Sequence, residues 1–250
     1  MKNSVIRVAM WSGPRNCSTA LMYSWGNRPD TVVWDEPFYA HYLKKNKRAY
    51  KEHPMSAVIM NNNETDEDLI IKKLAQDMLP EGKSVFFQKH MSHHLMDGMR
   101  RDWLRNVQNC FLIRDPFEVI LSLSQKLSNI KLQDTGFEDQ YRLFRYVCDT
   151  TGSIPIVIDH KDLLTNPEIM LRNLCRRFHV DFDESMLSWE SGPKKFDGIW
   201  ASYWYGNAWK STGFIAYKQR KGSIPEYLEP IYRKSLGLYE ELFKHRLIPS

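Results

Sequence analysis

The 250-residue chain predicts a three-layer α/β fold, a parallel central sheet flanked by helices, and three observations carry that expectation. Short runs of branched and aromatic residues recur, apolar throughout rather than alternating, as in strands covered on both faces. Helix-period segments separate them, which makes each connection a crossover between parallel strands. A turn rich in small and polar residues follows the first run, where α/β proteins gather backbone N–H groups beside a helix start.

The elements follow in order. "VIRVAM" (5–10) is the first strand, and "WSGPRNCSTAL" (11–21) carries the chain through a turn into the helix of "TALMYSWGN". "TVVWDE" (31–36) reads as a short second strand. "DEDLIIKKLAQDML" places apolar residues at helical spacing, with Thr65 ahead of acidic residues as its start. "SVFFQK" (84–89), "NCFLIR" (109–114) and "IPIVID" (154–159) are further strands. The helices "FEVILSLSQKL", "FEDQYRLFRYVCDTT" and "NPEIMLRNLCRRF" alternate with them, and 225–245 is helical again. Pro116 and Pro167 suit a first helical turn, where a missing N–H is harmless, and Asn166 suits an N-cap. "NNNE" (61–64) and "PEG" (80–82) read as surface turns.

With neither an internal repeat nor a Gly/Ser- or Pro-rich linker, the expectation is one domain over 1–250. Residues 38–63, 129–137 and 189–223 are expected to be irregular, and the last is long enough for a lid or pocket loop. Its Trp200, Tyr203, Trp204, Tyr205 and Trp209 are expected to wall a pocket, with core packing as the alternative.

Composition narrows the function. A 42% hydrophobic, 26% charged chain is globular, and a net charge of +5 suits a small anionic ligand but is too mild for nucleic acid. Cys17, Cys110, Cys148 and Cys175 contain no C-x-x-C spacing, so neither a disulfide framework nor a zinc site is expected. The chain enters its first strand without room for a signal segment, and no apolar run approaches the roughly 20 residues that span a bilayer. A cytoplasmic protein without membrane contact is the expectation.

Ligands of open α/β sheets bind beyond the carboxyl ends of the strands. Arg15, Asn16, Cys17, Ser18 and Thr19 follow the first strand, and Asp35 and Glu36 the second. Gln88, Lys89 and His90 follow the third, and Arg114 and Asp115 the fourth, with Ser122 two helical turns on. The loop lacks the Gly-Lys pair of a Walker sequence, so a nucleoside triphosphate with metal is poorly served. Asp115, in Arg-Asp-Pro, reads as a helix cap, and "HMSHH" (90–94) as polar helix and pocket residues rather than metal ligands.

"GPRNCST" and "CFLIRDPFEVILSLS" together resemble the two cofactor signatures of the sulfotransferase superfamily. "DEPFYAHYL" is similar to the Glu-Pro segment of its carbohydrate-type members. "IVIDHKDLLTNPEIMLRNLCRRFHV" is similar to the family's strand, turn and helix, with His160-Lys161-Asp162 in place of the commoner Tyr-Glu-Asp.

The resemblance implies a P-loop-NTPase-like architecture and 3′-phosphoadenosine 5′-phosphosulfate (PAPS) as donor, with no metal required. It implies that Arg15 and residues 16–19 cradle the 5′-phosphosulfate and that Arg114 and Ser122 hold the 3′-phosphate. Arg220 and Lys221 of "RKG" match a further 3′-phosphate tripeptide, with a solvated basic turn as the equal alternative. The base for the acceptor is Glu36 first and His90 second, with His93 and His94 as alternatives to His90.

Cytosolic members usually carry Lys where Arg15 stands. Arg is usual in Golgi-anchored members, and this chain shows no anchor. It therefore resembles a soluble branch with a small-molecule hydroxyl, less readily an amine, as acceptor. An ATP-dependent small-molecule kinase and an inactive nucleotide-binding scaffold are the alternatives.

Overall fold

The computed structural model describes residues 5–125, 127 and 129–249. Among them, β1 (Ile6–Ser12), β2 (Thr31–Asp35), β3 (Val85–Met91), β4 (Gln108–Ile113) and β5 (Ile156–Asp159) form one parallel sheet in the order β2-β3-β1-β4-β5. Register levels the carboxyl ends: Asp35 pairs with Lys89, Ser12 with Met91 and Leu112, and Ile113 with Asp159. The chain passes from β1 to the edge strand β2, returns to β3, then crosses to β4 on the other side of β1. The turn after β1 thus lies where successive crossovers diverge, the place at which open sheets leave a crevice.

Alternation along β1 feeds two cores. Val8 and Met10 join Val85, Phe87, Leu112 and the helix Ser18–Gly26 on one face. Trp25 of that helix stacks on Phe87 with ring centres 5.2 Å apart. Ala9 and Trp11 join Phe111, Ile113 and the helices Glu67–Ala75, Pro116–Leu123, Phe137–Thr151 and Glu229–Phe243 on the other face. Each such side chain, fully buried, contributes roughly 1.5–3 kcal/mol, so the sheet is the stable platform and its loop edge is where function is free to vary.

Local signals and structure agree at Pro116 and Pro167, both in first turns, and at Asp115, whose carboxylate accepts from the Phe117 N–H at 2.8 Å. Two differ. The helix expected to start at Thr65 is capped by Asp66, which accepts from the Leu69 N–H at 3.1 Å, because that carboxylate is the one three residues ahead of an orphan donor. Asn166 occupies its N-cap without a side-chain cap bond.

The expected loop 38–63 holds the helices Tyr39–Lys45, Lys47–Glu52 and Ser56–Asn62. These are too short for a hydrophobic period to declare them, and Asn46, accepting from the Ala49 N–H, punctuates the first two. Segment 189–223 is closed by a bridge between Ser188 and Gly213 and contains the one-turn helices Ala201–Trp204 and Gly206–Trp209. Its aromatics divide: Trp200 and Tyr205 are buried, Tyr203 and Trp204 are exposed. No described helix is long and apolar enough to cross a membrane.

Candidate active site

The turn after β1 is shaped by close backbone packing. A Cβ on Gly13 would stand 3.3 Å from the Thr135 carbonyl oxygen, and Gly136, at φ +74°, lets residues 135–136 approach Pro14. Asn16 staples the turn: its amide donates to the Leu112 carbonyl at 2.8 Å while its oxygen accepts from the Cys17 N–H at 2.9 Å. Arg15 has φ 60°, a conformation costly for a non-glycine residue. The following helix has neither a side-chain cap nor an acidic residue in its first turn, so the positive end of its dipole is left uncompensated.

Arg15 does not meet a carboxylate among the described residues; its Nε donates to Ser122 Oγ at 2.9 Å. Arg114 leaves β4 on the other side, donates to the Arg15 carbonyl, and pairs through Nε and Nη2 with Glu118 Oε2, 2.9 Å in each case. The Tyr217 hydroxyl donates to the other oxygen of Glu118 at 2.8 Å, which brings the 189–223 segment onto this wall.

Arg220 belongs to the same wall. Burial first, then the charges of Arg114 and Arg220, hold Arg15 below the ordinary arginine value. The same two cations, after burial, push His160 down to about 3, so that imidazole is neutral. Three guanidinium groups thus share one region, where Glu118 pairs with Arg114 and Asp115 also lies within reach of its charge. Lys221 is exposed beside Gly222, which lies over Leu121. Cys17 is pushed up to about 12, chiefly by burial, so it is a thiol and not a nucleophile. The excess of cations, the hydroxyls of Ser18, Thr19 and Ser122 and the uncapped helix start fit a ligand bearing phosphate and sulfate groups.

A second cluster lies at the ends of β2 and β3. Lys89, with a side chain 2% exposed, donates to Asp35 Oδ1 at 2.9 Å, Glu36 Oε1 at 2.6 Å and the Tyr205 hydroxyl at 2.6 Å. Tyr205 in turn donates to Asp35, 2.8 Å from Oδ2, and Gly198 N–H reaches the same oxygen at 3.1 Å. Burial works to lower the Lys89 pKa, but the two carboxylates outweigh it and the ammonium stands above the ordinary lysine value. Asp35 is shifted up, by burial and then by Glu36, against the pull of Lys89.

Glu36 has φ 42° and donates its N–H to the Lys89 carbonyl at 2.8 Å, which turns its side chain back over β3. Its Oε2 lies 3.8 Å from His94 Nδ1. That separation falls within ion-pair range, but burial and the neighbouring His93, His53 and Lys89 hold His94 far below its usual value. We therefore read the contact as neutral imidazole beside carboxylate. His94 Nδ1 is buried without a hydrogen-bond partner, 3.8 Å from Glu36 Oε2.

His90 is placed elsewhere. Adjacent residues of a strand point to opposite faces. His90 stacks on Trp11 with ring centres 4.2 Å apart, beside Phe38 and Trp103, with Nε2 3.3 Å from Gln88 Oε1. Burial and then Lys89 push it to about 3. The structure thus brings Arg15, Ser122, Arg114 and Arg220 together and Glu36 onto the same sheet edge, but sends His90 into the opposite core. Lys89, Tyr205, His94 and Glu118 complete the two clusters. For Lys89 the sequence signal was a lysine inside an apolar strand run, since an unpaired buried ammonium is too costly to keep. No group of three or more His, Cys, Asp or Glu among the described residues is placed to hold a metal ion.

The structure is thus a parallel α/β sheet with an arginine-bearing turn at its crossover point and a buried carboxylate two strands away. The chain belongs to the sulfotransferase family, whose sulfotransferase domain matches residues 6–242. Over 237 residues it is 32% identical to Branched-chain-amino-acid aminotransferase-like protein 1 of Arabidopsis thaliana, and 33% identical to the like-named protein 2. Each match covers 94% of this chain and 41% of the relative, so the chain spans about two fifths of their length.

Among solved structures, the sulfotransferase domain from the Synechococcus PCC 7002 olefin synthase is similar at TM-score 0.60 and 18% identity, over 99% of this chain and 97% of that one. A sulfotransferase from Alicyclobacillus acidocaldarius is similar at TM-score 0.52 and 12% identity, over 98% of each. At these identities they share the fold.

Proposed function

We propose that this chain transfers a sulfuryl group from PAPS to a hydroxyl of a small-molecule acceptor. The observation that carries the proposal is the convergence of Arg15, Arg114 and Arg220 at the crossover point of the sheet, with Glu118 as the carboxylate paired to Arg114. When bound, PAPS supplies an electrophilic sulfur and a phosphate leaving group. Arg15, the amides of residues 16–19 and the hydroxyls of Ser18 and Thr19 hold the phosphosulfate and stabilise negative charge growing on its phosphate side. Arg114, Ser122, Arg220 and Lys221 hold the 3′-phosphate.

Glu36 is the base in this reading. Lys89 donates to its Oε1, while Oε2 stays available to take the acceptor's proton. Neutral His94 Nδ1 orients the acceptor hydroxyl. His90, caged by aromatic rings, is not given a catalytic role.

The test is calorimetric titration of the purified chain with PAP, the desulfated nucleotide, against ATP with magnesium, on wild type and Arg220→Ala. Preferred PAP binding, weakened at least about tenfold by the loss of one charge-assisted contact, is expected. Preference for ATP with magnesium overturns the proposal in favour of a kinase. PAP binding without turnover of any hydroxyl acceptor favours a scaffold.

A further inference from the structure

Tyr205 sits in the irregular segment far from every strand in sequence, yet its hydroxyl is built into the carboxylate cluster. Its hydroxyl lies 2.9 and 2.8 Å from the two oxygens of Asp35 and 3.3 Å from Glu36 Oε1. The three protons of Lys89 Nζ go to Asp35 Oδ1, Glu36 Oε1 and Tyr205 Oη at 2.9, 2.6 and 2.6 Å. Tyr205 Oη also accepts from Trp200 Nε1 at 3.3 Å and gives its one proton to Asp35, 2.8 Å from Oδ2. Asp35 Oδ2 takes a second proton from the Gly198 N–H. Three groups of the 198–205 stretch thus complete a charge cluster that β2 and β3 leave unfinished.

We infer that Tyr205 is a positioning residue for Glu36: by taking the third proton of Lys89 and bracing Asp35, it restricts the ammonium to one oxygen of Glu36 and leaves the other free. The inference rests on Glu36 being the base of the proposed transfer. Without the phenol oxygen, Lys89 has a buried N–H with no acceptor and two carboxylate neighbours. The nearest remedy is rotation toward Glu36, which closes both oxygens of the base at once. The groups that face Glu36 are Lys89 on β3 and His94 after it, Asp35 on β2, Tyr205 on the segment and Tyr39 on its own following helix. Of these, Tyr205 is the one carried by the segment 189–223.

The experiment is a double-mutant cycle between Tyr205→Phe and Glu36→Gln, read as PAP formed from PAPS in single turnover with water as acceptor, alongside PAP binding. Tyr205→Phe is expected to lower the turnover rate ten- to a hundredfold, the order expected for a misplaced catalytic group, with PAP affinity within about twofold of wild type. In the Glu36→Gln background it is expected to have no further effect, because its action runs through that carboxylate. A merely structural tyrosine would lower the rate equally in both backgrounds, or would lower PAP affinity, and either result overturns the inference. If Tyr205→Phe does not fold, Trp200→Phe, which removes the indole donor to Tyr205, is expected to shift the rate in the same direction and to show the same dependence on Glu36. If wild type neither binds PAP nor forms it, the transferase reading falls and the inference falls with it. If wild type does both and Tyr205→Phe turns over normally, the inference alone is overturned.

Discussion

Replacing Arg114 by alanine perturbs two things that can be measured apart. The guanidinium is one of three that gather beside the turn after β1, and it is also the ionic partner of Glu118, whose side chain is 4% exposed. Its loss leaves that carboxylate with the Tyr217 hydroxyl at 2.8 Å and no ionic partner. Breaking a buried pair in this way costs about 3–5 kcal/mol. For a chain of this size each kcal/mol moves the melting point by roughly 2–4 °C, so a fall of about 6–20 °C is expected. A charge-assisted contact to phosphate is worth about 1.5–3 kcal/mol, or roughly 10- to 150-fold in PAP affinity.

The double variant Arg114→Ala, Glu118→Gln removes the stranded charge but cannot restore the cation. Thermal unfolding with calorimetric PAP titration should therefore show stability largely recovered and affinity still lost. Two results would refute this reasoning: a single variant no less stable than the double, or a double variant that binds PAP as wild type does.

Three further outcomes follow from the same geometry. Lys89→Met, which strands Asp35 and Glu36, should lose about 3–5 kcal/mol at pH 7. Asp35 has its folded pKa raised above 3.8, so the stability it withholds returns as pH falls through that raised value, and the deficit of the variant should shrink in unfolding measured at pH 5. The wild-type ammonium, raised above 10.5, keeps its contribution up to that pH and loses it only as pH rises further through the folded value. Glu36→Gln should cut the turnover rate by roughly 10²–10⁴ with PAP affinity unchanged, whereas His90→Asn, on the opposite face of β3 from Lys89 and already neutral, should retain most of it; the reverse ranking in a rate assay would exchange their roles. Gly136→Ala, at φ +74° with its new Cβ 2.8 Å from Pro14 Cδ, should destabilise by about 1–2 kcal/mol and weaken PAP binding, read by melting and titration.

Much of the platform was legible because the signals are local. Strand runs, helix periods and the prolines of two first turns depend on residues within one turn or one pleat of each other, and all five strands lie where those signals put them. The spacing of Arg114 and Ser122 was equally legible, being two turns of one helix. The Arg114–Glu118 pair was too, as an i,i+4 contact that the emphasis on phosphate passed over. His90 could have been set aside on the period of two alone: if Lys89 turns toward the carboxylates, its neighbour turns away.

The rest depended on contacts that no local rule carries. Arg15 meets Ser122 across 107 residues of chain, and Tyr205 meets Asp35 across 170. The order of the strands, which sets β1 between β3 and β4 and so brings the two arginine loops side by side, is a property of crossover packing. Sequence by itself determined a parallel α/β platform with an arginine-bearing turn at its first crossover, because hydrophobic period and turn chemistry are written within a few residues. Only the tertiary structure decided which charges oppose one another at its edge, because a buried ion is stable solely where distant segments bring its partners.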